Sequence, residues 1–209
     1  MNNVLHSKEK TVQEISEINS GFEEFIKVNP YPNLPYNTIT EGFEFKQIFE
    51  LGNTSPDVAF NRILEWVAIN FGNIGEVLHY SSPSDGKIIV KGQLNLLNLT
   101  DVKNFWGTLK ESAEITTGKF TLAITIKEDK VKLEFLNFKY NRSYYDIILN
   151  TYITSTYFTS AESLFPITRF PKESWKRNLS LIQATDTEVI FLTKSISNYV
   201  LGKDEDYRF

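Results

Sequence analysis

The sequence has no cysteine and only two histidines, His6 and His79, and these absences exclude several kinds of chemistry. Without a thiol, the chain can form no disulfide, no thiolate metal site and no cysteine nucleophile. Two histidines cannot build a three-histidine zinc site, and no H-E-x-x-H or EF-hand pattern occurs. We therefore expect no metal and no cofactor.

Long apolar runs are also lacking. No stretch of about 18 apolar residues is present, so we expect no transmembrane segment. The opening segment MNNVLHSKEKTVQEI has no apolar core of the length that export signals need. This pattern predicts a cytoplasmic chain as written, and a periplasmic or exported chain if a leader has been trimmed.

An excess of positive charge is the third absence. Lys and Arg number 22 against 26 Asp and Glu, which gives a net charge of −4, and the sequence pI is about 5.4. A local basic stripe is compatible with this composition, but no run of lysine or arginine occurs. Because nucleic acids and anionic membranes attract basic surfaces, the composition argues against a nucleic-acid partner and against a polybasic membrane contact.

The N-terminal part predicts a helix followed by a connector. Apolar residues spaced three and four apart form one stripe of an amphipathic helix over residues 8–27. Three prolines in NPYPNLPY then favour an extended chain. We predict two parts, an N-terminal helix with its connector over residues 1–35 and a single α+β domain over residues 36–209.

The middle of the chain alternates between apolar and polar residues, which predicts strands. The clearest hairpin is KFTLAITIKEDKVKLEFLNFKY, where a change of phase after Phe135 indicates a β-bulge or a strand end covered on both faces. Before it, Ser55 as N-cap, Pro56 at the first position and Gly72 at the end mark a helix.

Two further segments predict helices. Residues 98–115 fit a short helix capped by Thr100, and residues 171–202 fit one bent helix or two consecutive helices, with an interruption at Asp186. The order of elements predicts an α+β fold, in which an antiparallel sheet of about five strands has helices packed on one face, in addition to the N-terminal helix.

Three motifs carry a family resemblance. ILEWVAINFGN, SPSDGKIIVKGQLNL and FTLAITIKEDKVKLEFLNFKYN, in this order, resemble a bacterial domain of unknown function with a TATA-binding-protein-like (TBP-like) fold. The resemblance extends over residues 42–142 and implies that fold. It implies no activity, because the function of the family is unknown and a fold does not determine a function. Members of the family usually look exported, whereas the opening of this chain does not.

The stretch SSPSDGKIIVKG contains the residue types of a phosphate-binding loop without its context. Such a loop opens a helix, whereas Gly86 and Gly92 enclose a β-rich run. We interpret residues 83–86 as a turn and Gly92 as a bulge or a close backbone approach.

Aromatic residues are concentrated in one stretch and supply the candidate ligand-binding residues. A curved antiparallel sheet closed by a helix can enclose a cavity, and tyrosine suits its lining. The alternative is that these side chains fill the core. The candidates are Phe138, Tyr140, Tyr144, Tyr145 and Tyr152.

No recognisable catalytic set is present, so the sequence predicts a non-enzymatic binding module for a small apolar ligand or a protein partner. One alternative is a structural or interaction subunit that acts through the N-terminal helix. Another is a hydrolase in which His79 works with an acidic partner. A strand histidine that is half exposed and has no catalytic role is the simpler interpretation of His79.

Overall fold

The protein is described by a computed structural model, which covers most of the region after the proline-rich connector. The described residues are 35–37, 39, 42–103, 109–146, 151–154, 158–164 and 172–203, and the described side chains are those of 35, 37, 39, 42–96, 116–141, 158–164 and 178–203. The helix predicted over residues 8–27 lies outside them. The division of the chain at residue 35 therefore stays a prediction.

A five-stranded antiparallel sheet is the central element. Two short strands, β1 (Tyr36–Asn37) and β2 (Gly42–Phe43), pair with each other before it begins. The main strands are β3 (Phe45–Glu50), β4 (Leu78–Ser82), β5 (Lys87–Lys103), β6 (Leu109–Lys127) and β7 (Lys130–Asp146). Their spatial order is β3-β7-β6-β5-β4. Two further strands, β8 (Thr151–Thr154) and β9 (Thr159–Ser160), pair with β7.

Helices cover one face of this sheet. The helices are α1 (Pro56–Phe71), α2 (Ile74–Val77) and α3 (Lys172–Leu201), and a 3-10 turn spans Glu162–Leu164. α1 contacts β6 and α3, and α3 contacts β5 and β3. The predicted α+β fold, an antiparallel sheet with helices on one face, is thus confirmed.

The two faces of the sheet follow from the alternation of the strands. On β5, Ile88 and Val90 are buried while the residues on either side of them are at least partly exposed. On β6 their partners, Ile124 and Leu122, are buried as well. Because paired residues in an antiparallel ladder point to the same side, one face forms the core with the helices and the other faces outward.

Helix α1 begins and ends where its sequence signals predict. The hydroxyl of Ser55 accepts a hydrogen bond from the backbone N–H of Val58 at 3.4 Å, and Pro56 opens the first turn. Two contacts then fix α1 against α3. Trp66 Nε1 donates to Ser195 Oγ at 2.9 Å, and the Arg62 guanidinium donates to the carbonyl of Val200 at 2.6 Å.

The prediction of a helix over residues 98–115 is wrong. β5 continues to Lys103 and β6 begins at Leu109, and the two strands pair residue by residue from Lys87 opposite Thr125 to Lys103 opposite Leu109. The local spacing of apolar residues resembled a helix, but strand pairing over a long ladder outweighs a weak local preference. In the C-terminal part of the chain, Lys172–Leu201 forms one helix, α3, and not two consecutive helices.

The change of phase in β7 is a β-bulge, as predicted. Thr121 lies opposite Leu136, whereas Lys119 lies opposite Lys139, so β7 has one extra residue in this interval. Asn137 adopts a left-handed backbone conformation with φ of 57°. The extra residue exchanges the two faces of β7, so that even-numbered positions become buried beyond it.

No helix within the described ranges is both long and apolar enough to cross a membrane.

Gly92 provides a test of the packing between the sheet and α1. A Cβ atom at this position would lie 2.8 Å from Cε1 of Phe120 and 3.0 Å from Cε1 of Phe71. We expect Gly92→Ala to lower the free energy of unfolding by about 1–3 kcal/mol, because the buried ring of Phe120 and the partly buried ring of Phe71 must shift. The measurement is urea unfolding, with Gly75→Ala as control because its nearest contact is an ordinary 3.4 Å. Equal stability of the two variants would contradict this packing.

Asp186 provides a test of burial on α3. Burial raises the pKa of its carboxyl above the usual value. A carboxyl with a higher pKa in the folded state than in the unfolded state makes the free energy of unfolding fall as pH rises through that folded pKa. We expect Asp186→Asn to be more stable than the wild type near pH 7, with a gain that shrinks as pH approaches about 3.9. Urea unfolding at several pH values measures this, and a gain independent of pH would refute it.

Candidate functional site

Two of the predicted ligand-binding residues lie in the core. Phe138 and Tyr140 are each 1% exposed. The ring of Phe138 lies 5.3 Å from that of Phe45 and 5.8 Å from that of Phe120, measured between centroids. The hydroxyls of Tyr140 and Thr185 are 2.9 Å apart, and Tyr140 is the donor because Thr185 donates to a carbonyl of α3. These contacts favour a packing role for both residues.

The other three predicted residues lie further along β7 and on β8. The backbone register places Tyr145 opposite Tyr152 and Tyr144 opposite Ile153. The structure therefore brings Tyr145 and Tyr152 together in one ladder, beyond the part of β7 that holds Phe138 and Tyr140. Their side chains lie outside the described set, so a ligand site at these positions stays a prediction.

The stretch SSPSDGKIIVKG contains a tight turn and does not form a phosphate-binding loop. The N–H of Gly86 donates to the carbonyl of Pro83 at 3.1 Å, and the carbonyl of Gly86 accepts from the N–H of Ile126 at 2.7 Å. Gly86 has a φ of 59°, and a Cβ atom there would collide with the carbonyl of Ile126. The hydroxyls of Ser82 and Tyr80 donate hydrogen bonds to the carboxylate of Asp85 in this turn, and these bonds hold the pKa of Asp85 below its usual range.

A shallow depression of about 230 Å³ lies beside this turn. It is lined by Pro56, Asp57, Phe60, Pro83, Ser84, Asp85, Gly86, Ile126, Lys127 and Glu128. No group of three or more histidine, aspartate or glutamate side chains suited to a metal occurs among the residues that the structure describes. The depression is small and open, and it holds no acid–base set.

His79 lies in an exposed position on the edge strand β4. The register of β4 shifts between Leu78 and Tyr80, and His79 is the residue at the shift. Its ring makes no hydrogen bond and no ion pair with the described part of the chain, and Glu65 is exposed on α1. A general base needs a positioned partner, so this geometry offers the hydrolase hypothesis no support.

The outward face of the sheet has the most distinctive chemistry of the molecule. The alternation of burial and the strand registers place lysine side chains from four strands on this side. We call this surface the lysine face. Its lysines are Lys46, Lys87, Lys91, Lys119, Lys127, Lys130, Lys132 and Lys139.

The lysine face contrasts with the charge of the whole chain. Among the strand side chains that the structure describes on this face, the carboxylates are Glu50 and Glu134, although the chain as a whole has a net charge of −4. Further carboxylates stand at its rim in the turns, where Asp129 lies 3.5 Å from Lys130. The positive charge of this surface is therefore local and is not visible in the total composition.

Two pairs of lysines face each other directly across strands. Lys119 lies opposite Lys139, and Lys127 lies opposite Lys130. Like charges in directly opposite positions destabilise a sheet. No ion pair to the described residues compensates Lys119, Lys127 or Lys139, although Lys119 Nζ lies 4.4 Å from the centroid of the Phe158 ring. These positions therefore carry positive charge although the repulsion between the lysines lowers the stability of the sheet.

Some of the remaining lysines form ion pairs with glutamates. Lys46 Nζ lies 2.9 Å from Glu44, and this hydrogen bond raises the pKa of Lys46 above its usual value. Lys132 Nζ lies 2.7 Å from Glu134. The positive charge that is free for an external partner is therefore concentrated on the central strands β5 and β6 and on the distal part of β7.

Apolar side chains stand at the two edges of the lysine face. Ile48 on β3 lies opposite Lys132 and is 62% exposed, and Tyr80 on β4 lies opposite Ile89 and is 43% exposed. The centre between them is formed by Thr121, Ala123 and Thr125 of β6. The face therefore combines a lysine-rich interior, which also includes the partly exposed Ile89 and Leu136, with an exposed residue at each edge; the exposed ring of Phe158 lies beside Lys119.

The architecture agrees with that of known proteins. Residues 45–141, which contain β3 to the distal part of β7, match a model described as Domain of unknown function (DUF4468) with TBP-like fold. The central region resembles the DUF4468 family. This match confirms the family resemblance that the sequence motifs indicated, and it includes every lysine of the lysine face.

Two crystal structures share the fold. A TBP-like protein from Parabacteroides distasonis has a TM-score of 0.53 and 18% identity, with 79% of this chain and 96% of that chain covered. A DUF4468 family protein from Bacteroides ovatus has a TM-score of 0.51 and 13% identity, with 81% and 91% covered. Identities this low show the fold alone. No curated protein matches this chain in sequence.

The lysine pair formed by Lys119 and Lys139 leads to a test of the electrostatic cost. We expect Lys139→Gln to raise the free energy of unfolding by about 0.2–1 kcal/mol at low salt, because it removes the like charge opposite Lys119. The gain should shrink at high salt, where screening weakens the repulsion. Urea unfolding at two salt concentrations is the measurement, with Lys194→Gln on α3 as the matched control. A loss of stability at low salt would contradict the repulsion.

Proposed function

We propose that this chain is a non-enzymatic binding module and that the lysine face is its binding surface for an anionic partner. The observation that supports this proposal is the concentration of eight lysines on one sheet face of a chain whose net charge is −4. A surface of one sign attracts partners of the opposite sign and accelerates their association.

The arrangement of the lysines supports a role in binding more than a role in keeping the protein in solution. A surface needed only for solubility intersperses charges of both signs. Here Lys119 faces Lys139, and neither lysine has an ion pair with a carboxylate of the described residues. Lys127 faces Lys130 at the end of the hairpin, where Asp129 pairs with Lys130 and leaves Lys127 without an ion pair to the described residues. Positions that lower stability without an internal benefit are typical of functional surfaces.

Other functions from the sequence remain hypotheses with less support. A small apolar ligand would need space beside the aromatic residues, yet Phe138 and Tyr140 are packed against other side chains. The ligand hypothesis now rests on Tyr145 and Tyr152, which pair across β7 and β8. An interaction subunit acting through the N-terminal helix involves residues 8–27, which lie outside the described residues.

Cation-exchange chromatography tests the proposal. With a pI of about 5.4, the chain is negative on average near pH 7.5, so only a local basic surface can hold it on a sulfonate resin. We expect retention at about 0.01 M ionic strength, where electrostatic attraction reaches about 30 Å, and release as salt rises.

Matched double variants assign the retention to the face. Lys127→Gln/Lys139→Gln should elute markedly earlier than the wild type, whereas Lys194→Gln/Lys203→Gln, with the same change of net charge, should elute much closer to it. The two control lysines are exposed and lie on and just after α3. A wild-type chain that passes the resin unretained at low salt would overturn the proposal, and equal shifts in both doubles would remove the assignment to this face.

A further inference from the structure

We infer that the anionic partner of the lysine face is the surface of a bilayer that contains anionic lipid. This inference rests on the proposed function, and it assigns one class of partner to the same surface. The argument uses the distribution of the charges, the type of the basic residues and the composition of the centre of the face.

The lysines are spread in two dimensions. They lie on β3, β7, β6 and β5, which are neighbouring strands in this spatial order. The edge strand β4 lies beyond β5. Neighbouring strands are about 4.8 Å apart, so the positive charge covers an area instead of following a line. An anionic bilayer presents charge over a continuous plane, and it can contact such an area as a whole.

The exposed edge residues suit the same partner. Ile48 and Tyr80 point to the outward side at opposite edges of the sheet. An apolar side chain and a tyrosine both favour the boundary between head groups and acyl chains. Lysine, with its long apolar stem and charged end, is also well suited to that boundary.

Nucleic acid fits this face less well. The outward positions of the described strands include no arginine, the residue that recognises phosphates and guanine with two parallel hydrogen bonds. The central positions Thr121, Ala123 and Thr125 offer no aromatic ring on which a base could stack. The surface has charge for a polyanion, but it lacks the features that read bases.

An acidic protein also fits less well. Protein interfaces have an apolar or aromatic centre surrounded by a polar rim, and lysine is depleted in them. This face has a different arrangement: its interior contains threonine and lysine together with the partly exposed Ile89 and Leu136, and its more exposed Ile48 and Tyr80 lie at the edges. No exposed aromatic or arginine side chain, the types that most often anchor protein interfaces, lies at the centre among the described residues.

Vesicle co-sedimentation tests the inference with the full chain. The probes are vesicles of phosphatidylcholine alone and vesicles that also contain phosphatidylglycerol. We expect binding to the anionic vesicles only, and we expect it to weaken as salt is raised, because the attraction is screened. Lys127→Gln/Lys139→Gln should weaken binding roughly thirtyfold, since each lysine near an anionic surface contributes about fivefold.

Controls separate this inference from the proposed function. Lys194→Gln/Lys203→Gln should bind anionic vesicles within about twofold of the wild type, because these lysines lie outside the face. Circular dichroism of all variants confirms that the fold is retained. A chain that the sulfonate resin retains but that does not bind anionic vesicles would overturn the membrane inference and leave the proposed function standing.

Two further outcomes are decisive. Tighter binding to a double-stranded DNA probe than to anionic vesicles at the same salt would overturn the membrane inference in favour of nucleic acid. Failure to bind either the resin or the vesicles would overturn the proposed function together with the inference.

Discussion

The residue-by-residue pairing of β6 with its two neighbours is the constraint on which the rest of the structure depends. This register decides which side chains of the central strands point to the helices and which point outward. A slip of one residue would exchange the two sets completely, because side chains in a strand alternate. The core and the lysine face are therefore two results of the same set of backbone hydrogen bonds.

The helical side of the sheet stabilises this register. The buried β6 residues Leu122 and Ile124 lie on the side of the sheet that α1 contacts, and α3 covers β5 and β3 on the same side. This burial stabilises one pairing over the alternative, in which lysines would enter the core. The hydrogen bond between Trp66 and Ser195 fixes the two helices relative to each other. The outward face needs no contacts of its own to keep its lysines in place, and it can therefore tolerate Lys119 opposite Lys139.

Much of the fold could be predicted because its signals are local. The N-cap Ser55, Pro56 and the terminal Gly72 determine α1 within a few residues, and the change of phase after Phe135 indicates the bulge. The helix predicted over residues 98–115 failed because strand pairing depends on a partner distant in the sequence. Local spacing carries no information about that partner.

The lysine face could not be recognised from composition. Its lysines are scattered between Lys46 and Lys139, so no run appears, and the net charge averages over both surfaces. A signal existed in the alternation of KIIVK and of KEDKVKLE, in which lysines recur at outward positions. Only the strand order shows that these separate segments are neighbours. Among the predicted ligand-binding residues, burial of Phe138 and Tyr140 likewise depends on the register.

The left-handed residue Asn137 has a consequence for comparison with relatives. Because one extra residue reverses the sides of β7, it decides both that Phe138 is buried and that Lys139 faces outward. A homologue without the equivalent insertion would have the opposite orientation over the distal half of this strand. Alignments that ignore the insertion would then match inward residues with outward ones, so the presence of this residue is a criterion for deciding which relatives share the same surface.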